Sequence, residues 1–339
     1  MESIKPALEH AKQQLFMPFR IGQWTRLAFV GLLAGELGTG GCNRSTFHIP
    51  RHPGASHPQF PGSLGIDPLV LAALVAAVIV ALVAIGVTLL YIGSVMRFIL
   101  FDGIIARECH IRWDWSRRLV PGWRYFVWRL VYLLLTLEGI AVMVGIPLIF
   151  AFAAGWFKDP KQHLPALALG GAVCFLVLLV FFVATAVILV LTKDFVVPQM
   201  ALEDIGAMEG WRRLWPMIKA EKEAFAAYLG VKIVLTFVAT ILIGIATVFL
   251  GLLIAVPSVA LGLLAVLTGK TAGLSWNPGT IALAVVIGCI LLAVFFYLVS
   301  LIYVPAIVFF PAYSIHFFAG RYPRLSAVLH SSGTAPASL

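Results

Sequence analysis

Charge is what this sequence has least of. Asp, Glu, Lys and Arg make up 12% of its 339 residues, apolar residues 61%, and mean hydropathy is +1.00. Soluble domains carry about 25% charged residues, so a water-solvated fold is excluded and every long uncharged run is first a membrane segment. Cysteine is scarce as well. Cys42, Cys109, Cys174 and Cys289 stand far apart with no CxxC pair, which signals neither a disulfide framework nor a zinc site. No HExxH or GxSxG stretch occurs. Nothing therefore points to a hydrolase centre, and the expectation is a protein that is not an enzyme, with no cofactor and no metal. His48, His52 and His57 share a loop, but Pro50, Pro53 and Pro58 forbid the helical spacing that would bring the three imidazoles to one face.

What the chain does have is apolar runs. They predict an all-α, polytopic integral membrane protein with about six transmembrane helices, over 27–42, 69–96, 128–157, 164–192, 226–256 and 281–303, in a membrane domain covering 27–319. The first run is short, Gly-rich and carries Glu36. Pro257 is expected to end the fifth, with 258–268 as a re-entrant or interfacial extension, and Pro305 and Pro311 to bend the end of the sixth. In residues 1–26, Ile4, Leu8, Leu15 and Phe16 alternate with Lys5, Glu9, Lys12 and Gln13. That pattern predicts an amphipathic helix lying on the membrane surface, not a cleaved signal peptide. Residues 320–339 are expected to form a cytoplasmic tail.

The balance of 24 Lys and Arg against 15 Asp and Glu does not point to nucleic acid, because no contiguous basic face on a soluble domain accompanies it. Its distribution is more telling. With six spans, eighteen of the cations fall on the N-terminal side of the membrane, five on the other, and Lys232 lies inside a span. Cations are held back on the cytoplasmic side, so both termini are expected in the cytoplasm, with the anionic inner leaflet of the lipid bilayer as a partner.

Two polar segments between spans share an order of features. Arg97 to Phe126 and Lys193 to Glu223 each begin with a cation at the membrane exit, continue through an apolar turn holding an acid, Asp102 or Asp194, and end in Trp- and Arg-rich helix. Asp194, Pro198, Trp211, Arg212, Arg213 and Trp215 are the candidates for interfacial anchoring or docking of a lipid headgroup or a membrane or cytoplasmic protein partner. Inside the bilayer an ionisable residue is costly and is kept when paired or useful. The candidates there are Glu36, Glu138 and Lys232. Counted along their helices, Glu138 and Lys232 reach similar depths, so a Glu138–Lys232 pair is geometrically allowed, as a structural latch or as part of a carrier's polar path, with Lys232 reaching to the interface as the other reading.

The stretch from Leu15-Phe16-Met17-Pro18-Phe19-Arg20 through Trp24 to Ala34-Gly35-Glu36, the exit Arg97-Phe98, and Asp194-Phe195-Val196-Val197-Pro198 to Trp211-Arg212-Arg213-Leu214 resemble a family of uncharacterised bacterial multi-pass membrane proteins. More distantly, the chain looks like the membrane domain attached to some glycerophosphodiester phosphodiesterases. The resemblance implies a bacterial inner-membrane location and no phosphodiesterase activity, since the soluble catalytic barrel is missing. The function expected is a non-enzymatic membrane component that organises lipid or a protein partner, with a small-molecule or lipid transporter using Glu138 and Lys232 as the alternative.

Overall fold

The fold is seen in a computed structural model, which describes residues 4–16, 20–36, 68–106, 111–157, 163–271 and 278–334. Every regular element among them is a helix: α1 (Ile4–Phe16), α2 (Ile21–Leu33), α3 (Pro68–Ile105), α4 (Ile111–Arg117), α5 (Leu119–Ala153), α6 (Leu164–Leu191), a π turn (Thr192–Val196), α7 (Val197–Glu203), α8 (Ala207–Ala220), α9 (Lys222–Thr271), α10 (Pro278–Ile302), α11 (Val304–Ala319) and α12 (Pro323–Thr334). Among the described residues, five stretches are long and apolar enough to cross a membrane: Leu69–Ile105, Leu119–Ala153, Leu164–Glu203, Lys222–Thr268 and Gly279–Ala319.

The first expected span is the exception. Of 27–42 only the part within α2 is helical, and α2 stops at Leu33 after 13 residues, about 20 Å against a hydrocarbon core of about 30 Å. One side of it is taken up by protein: Leu27, Ala28 and Val30 are buried while Phe29 and Leu32 stay exposed, and the helix packs on α3, α10 and α11. Residues 37–42 and the histidine loop lie outside the described residues.

The other spans run longer than their apolar patterns suggested. α3 was expected to end at Met96, before Arg97; it continues to Ile105 because Arg97 finds acceptors inside the protein, and the last turns bury Phe98, Ile99, Leu100 and Ile104. α5 begins at Leu119, ahead of the expected start at 128. α9 passes through Pro257 without ending, so no re-entrant piece forms at 258–268. Proline leaves a carbonyl one turn back without its N–H partner. The carbonyl so left is that of Leu253; beside it, Ser258 Oγ donates to the Ile254 carbonyl at 2.6 Å, an ordinary bond back along the helix. Thr88, Thr136, Thr185 and Thr240 likewise donate to carbonyls four residues back, so few hydroxyls in these helices need water.

No residue of the most apolar window of any long helix is buried. The core lies instead at one end, where α1, α2, α7, α8, α11 and α12 pack around the last turns of α3 and the neighbouring ends of α5, α6 and α9. Phe195 is its centre, with ring centroids 5.1–5.3 Å from those of Phe225, Tyr228 and Phe318. α1 is not only a surface helix. Ala7, Ala11 and Leu15 are buried against α11, while His10 Nε2 bonds the Ile104 carbonyl and Gln14 Nε2 donates to that of Gly103, each at 2.9 Å. The carbonyls left open at the end of α3 are satisfied in this way. The expected tail is also structured: α12 packs on α3, α7 and α11 with Leu325 fully buried.

Outward from this end the long helices form two groups, α3–α5–α6 and α9–α10, with α2 and α11 between them at the packed end. Among the described residues, Lys270 is the one Lys or Arg at the opposite end.

Candidate functional site

A buried cluster of charge sits where α2, α3, the π turn and α9 meet. Gly35 places its first member. It takes the left-handed conformation, φ 79°, that ends α2 after Ala34, a conformation glycine adopts without a Cβ penalty. The next residue, Glu36, is thereby turned inward. Arg97 and Lys193 meet it there: Arg97 Nη1 lies 3.5 Å from Glu36 Oε1, and Lys193 Nζ donates to Glu36 Oε2. Arg97 Nη2 also donates to the Ala34 carbonyl. Close approach of α2 to α3 depends on Gly93, one turn before Arg97, where a Cβ would stand 2.6 Å from the Leu33 carbonyl oxygen.

The second acid is Asp194, inside the π turn. Widening the helix by one residue turns Lys193 and Asp194 onto neighbouring sides, a distortion that recurs at functional positions in helices. Asp194 accepts from Lys232 Nζ and, at 2.9 Å, from Tyr228 Oη. Trp211 Nε1 donates to Thr192 Oγ1 at 3.0 Å and so ties α8 to the turn. The side chains of Glu36 and Asp194 are 5% and 3% exposed. Two carboxylates so far from water persist because each is paired and hydrogen-bonded.

Two small cavities flank Glu36, each of about 30 Å³. One is lined by Thr236, Thr240, Tyr303 and Ile307, the other by Arg97, Lys193, Asp194, Pro198 and Ser314. The first shares Ala239, Ile243, Ala306 and Phe310 with a larger apolar groove of about 720 Å³ between α1, α9 and the α10–α11 bend. Lys12 is the one charged residue lining that groove.

Of the candidates marked in the sequence, Glu36, Asp194 and Lys232 belong to this cluster and Pro198 lines its cavity. Lys232 does not meet Glu138. Its partner is Asp194, and Glu138 stands exposed on α5 with no ion pair among the described residues. Trp211 is partly buried against Thr192, and Arg213, 43% exposed, pairs with neighbouring acids. Arg213 bonds Glu203 at 2.5 Å and Glu209 at 3.0 Å. Glu203 also holds Arg213 above the ordinary guanidinium range, and Arg213 in turn holds the Glu209 carboxyl below its own. Tyr322 donates to Glu203 too; burial and that acceptor push its phenol up to about 12. Arg212 and Trp215 are the most outward of these residues, 80% and 53% exposed.

Arg97, Lys193, Tyr228 and Thr192 were missed as members of the site. A signal for two of them was there: Arg97 and Lys193 are the cations that open the two similar segments, and they converge on one carboxylate.

The profile of a family of unknown function, DUF7544, matches residues 1–328. The chain belongs to DUF7544. No curated protein and no solved structure matches it. The DUF7544 match takes in the five long helices, the groove and every residue of the charge cluster.

Proposed function

We propose that this protein is a non-enzymatic component of a bacterial inner membrane that organises lipid, holding an acyl chain of an anionic phospholipid in the groove between α1, α9 and the α10–α11 bend. The observation that carries this is the groove itself: about 720 Å³, lined by Leu8, Phe16, Leu235, Leu242 and Phe309 among others, with the exposed Lys12 as its one charge. It opens between helices long enough to cross a bilayer, where hydrocarbon is the solvent. A single ammonium at such a mouth favours an anionic headgroup by about 1 kcal/mol.

The packed end faces the cytoplasm in this reading, with both termini there and α8 on the leaflet. Support comes from the cations, gathered at that end of the described chain. The outward Arg212 and Trp215 leave room for a protein partner.

Native mass spectrometry of the full-length protein released from membranes tests the lipid reading. One anionic phospholipid should stay attached, and Ala239→Trp with Ala306→Trp, which fill the groove, should displace it. Equal retention by a folded groove-filled variant would overturn the proposal.

A second reading, a carrier, is favoured by the cluster with a cavity on each side of Glu36. It requires those cavities to open to opposite faces of the membrane in turn. Thr240→Cys and Ser314→Cys would then be labelled by an impermeant maleimide from different sides, and no labelling of either would remove the carrier.

A further inference from the structure

The charge cluster is not balanced. Arg97, Lys193 and Lys232 face Glu36 and Asp194, and a fourth cation, Arg129 on α5, brings Nη1 within 3.9 Å of the point where a Cβ on Gly93 would stand, one turn from Arg97. Among the described residues, three cations thus meet two carboxylates, with Arg129 close to Gly93 nearby. An uncompensated charge at this burial is strongly unfavourable, and proteins answer it by pairing.

Arg97 shows where the missing partner belongs. The residue is 8% exposed, yet among the described residues Nε of its guanidinium has no hydrogen-bond acceptor, and Nη1 has only the 3.5 Å ion pair with Glu36 and no hydrogen bond. A buried guanidinium N–H without an acceptor is costly, since arginine stays charged. Arg97 and Lys193 line the cavity of about 30 Å³ beside Glu36. Lys193 uses one of its three ammonium hydrogens on Glu36 and has others to offer. The acids on the same wall, Glu36 and Asp194, are already engaged by Lys193 and Lys232.

We propose that this cavity binds one small monovalent anion of chloride's size, held by Arg97 and Lys193. A water needs about 10–15 Å³ measured in this way, so the narrow part of the space, about 30 Å³, takes a monatomic ion with at most one water beside it. The remainder of the wall, Leu100, Phe101, Val197 and Ile315, offers nothing to a polyatomic anion's further oxygens and suits a weakly hydrated halide. The anion joins α3 to the π turn in the way Glu36 joins α2 to both, completing the charge balance of the packed end.

The test uses full-length protein in nanodiscs of neutral phosphatidylcholine, in gluconate buffer, with equilibrium binding of radiolabelled chloride. One saturable site per chain is expected, competed by bromide and not by sulfate. Arg97→Gln should weaken binding by about tenfold or more, the scale of a lost charge-assisted hydrogen bond. Glu36→Gln, which removes a neighbouring negative charge, should tighten it. Absence of saturable chloride binding by the folded wild-type protein would overturn the site, as would unchanged affinity in a folded Arg97→Gln variant. If Arg97→Gln does not fold, Glu36→Gln decides: tighter binding supports the site, and unchanged or weaker binding refutes it.

Discussion

Lys232 illustrates how much a single residue discloses. Its position inside an apolar run marked it as paired or functional, because a lone ammonium at that depth is unfavourable. The partner could not be read the same way. Depth counting made Glu138 eligible, whereas the geometry selects Asp194, which had been placed at the membrane surface. The pairing is settled by the π turn, and no periodicity of the sequence announces one. A double-mutant cycle separates the two pairings: Asp194→Asn and Lys232→Met should couple by about 0.5–3 kcal/mol in thermal unfolding, while Glu138→Gln and Lys232→Met should be additive. Coupling in the second cycle and additivity in the first would reverse the assignment. Tyr322 carries a pH dependence. Its phenol is raised from 10.0 to about 12 by burial and by Glu203, so the fold favours the protonated form. The resulting stabilisation is fully present below about pH 10 and is lost as pH rises from there towards 12. Tyr322→Phe should therefore lower the unfolding temperature at pH 8, and the gap from wild type should narrow above pH 10.

Elements were legible in kind and less so in extent. The apolar runs located all five long helices, since hydrocarbon leaves the backbone no other way to satisfy its polar groups. Their ends were misplaced wherever a charge or a proline was taken as a boundary. Arg97 and Pro257 both lie inside helices, Arg97 because a protein acceptor replaces water and Pro257 within the unbroken α9. α1 departs for a different reason. Its buried stripe is Ala7, His10, Ala11, Gln14 and Leu15, while Leu8 is 60% exposed. Small residues let α11 come close and two polar side chains cap α3, so the buried face is not the most apolar one. The α2–α3 contact gives a sharp expectation at this scale. Gly93→Ala sets a methyl against the Leu33 carbonyl and should destabilise the protein by about 1–3 kcal/mol, as overpacking does. Gly86→Ala in the same helix, where a Cβ meets nothing, should be neutral or slightly stabilising in the same thermal unfolding assay.

For the molecule as a whole, composition anticipated helices long and apolar enough to cross a membrane, and the distribution of cations anticipated which end of the bundle differs from the other. What composition could not convey is that this end is a packed protein core with buried ion pairs and not a set of helices resting on the leaflet. Its decisive contacts join residues far apart in sequence, Glu36 with Lys193 across 157 positions, and such pairings depend on topology. The central claim is that the chain crosses a membrane with the packed end and both termini on the cytoplasmic side. It is tested by labelling with an impermeant maleimide in intact cells, using a chain whose four cysteines are replaced and single cysteines are placed at Met208 and Ser326 in the packed end and at Gly155 beyond α5. The account predicts labelling of Gly155→Cys in intact cells and of Met208→Cys and Ser326→Cys only after permeabilisation. Labelling of Met208→Cys in intact cells, or of all three from one side, would contradict it.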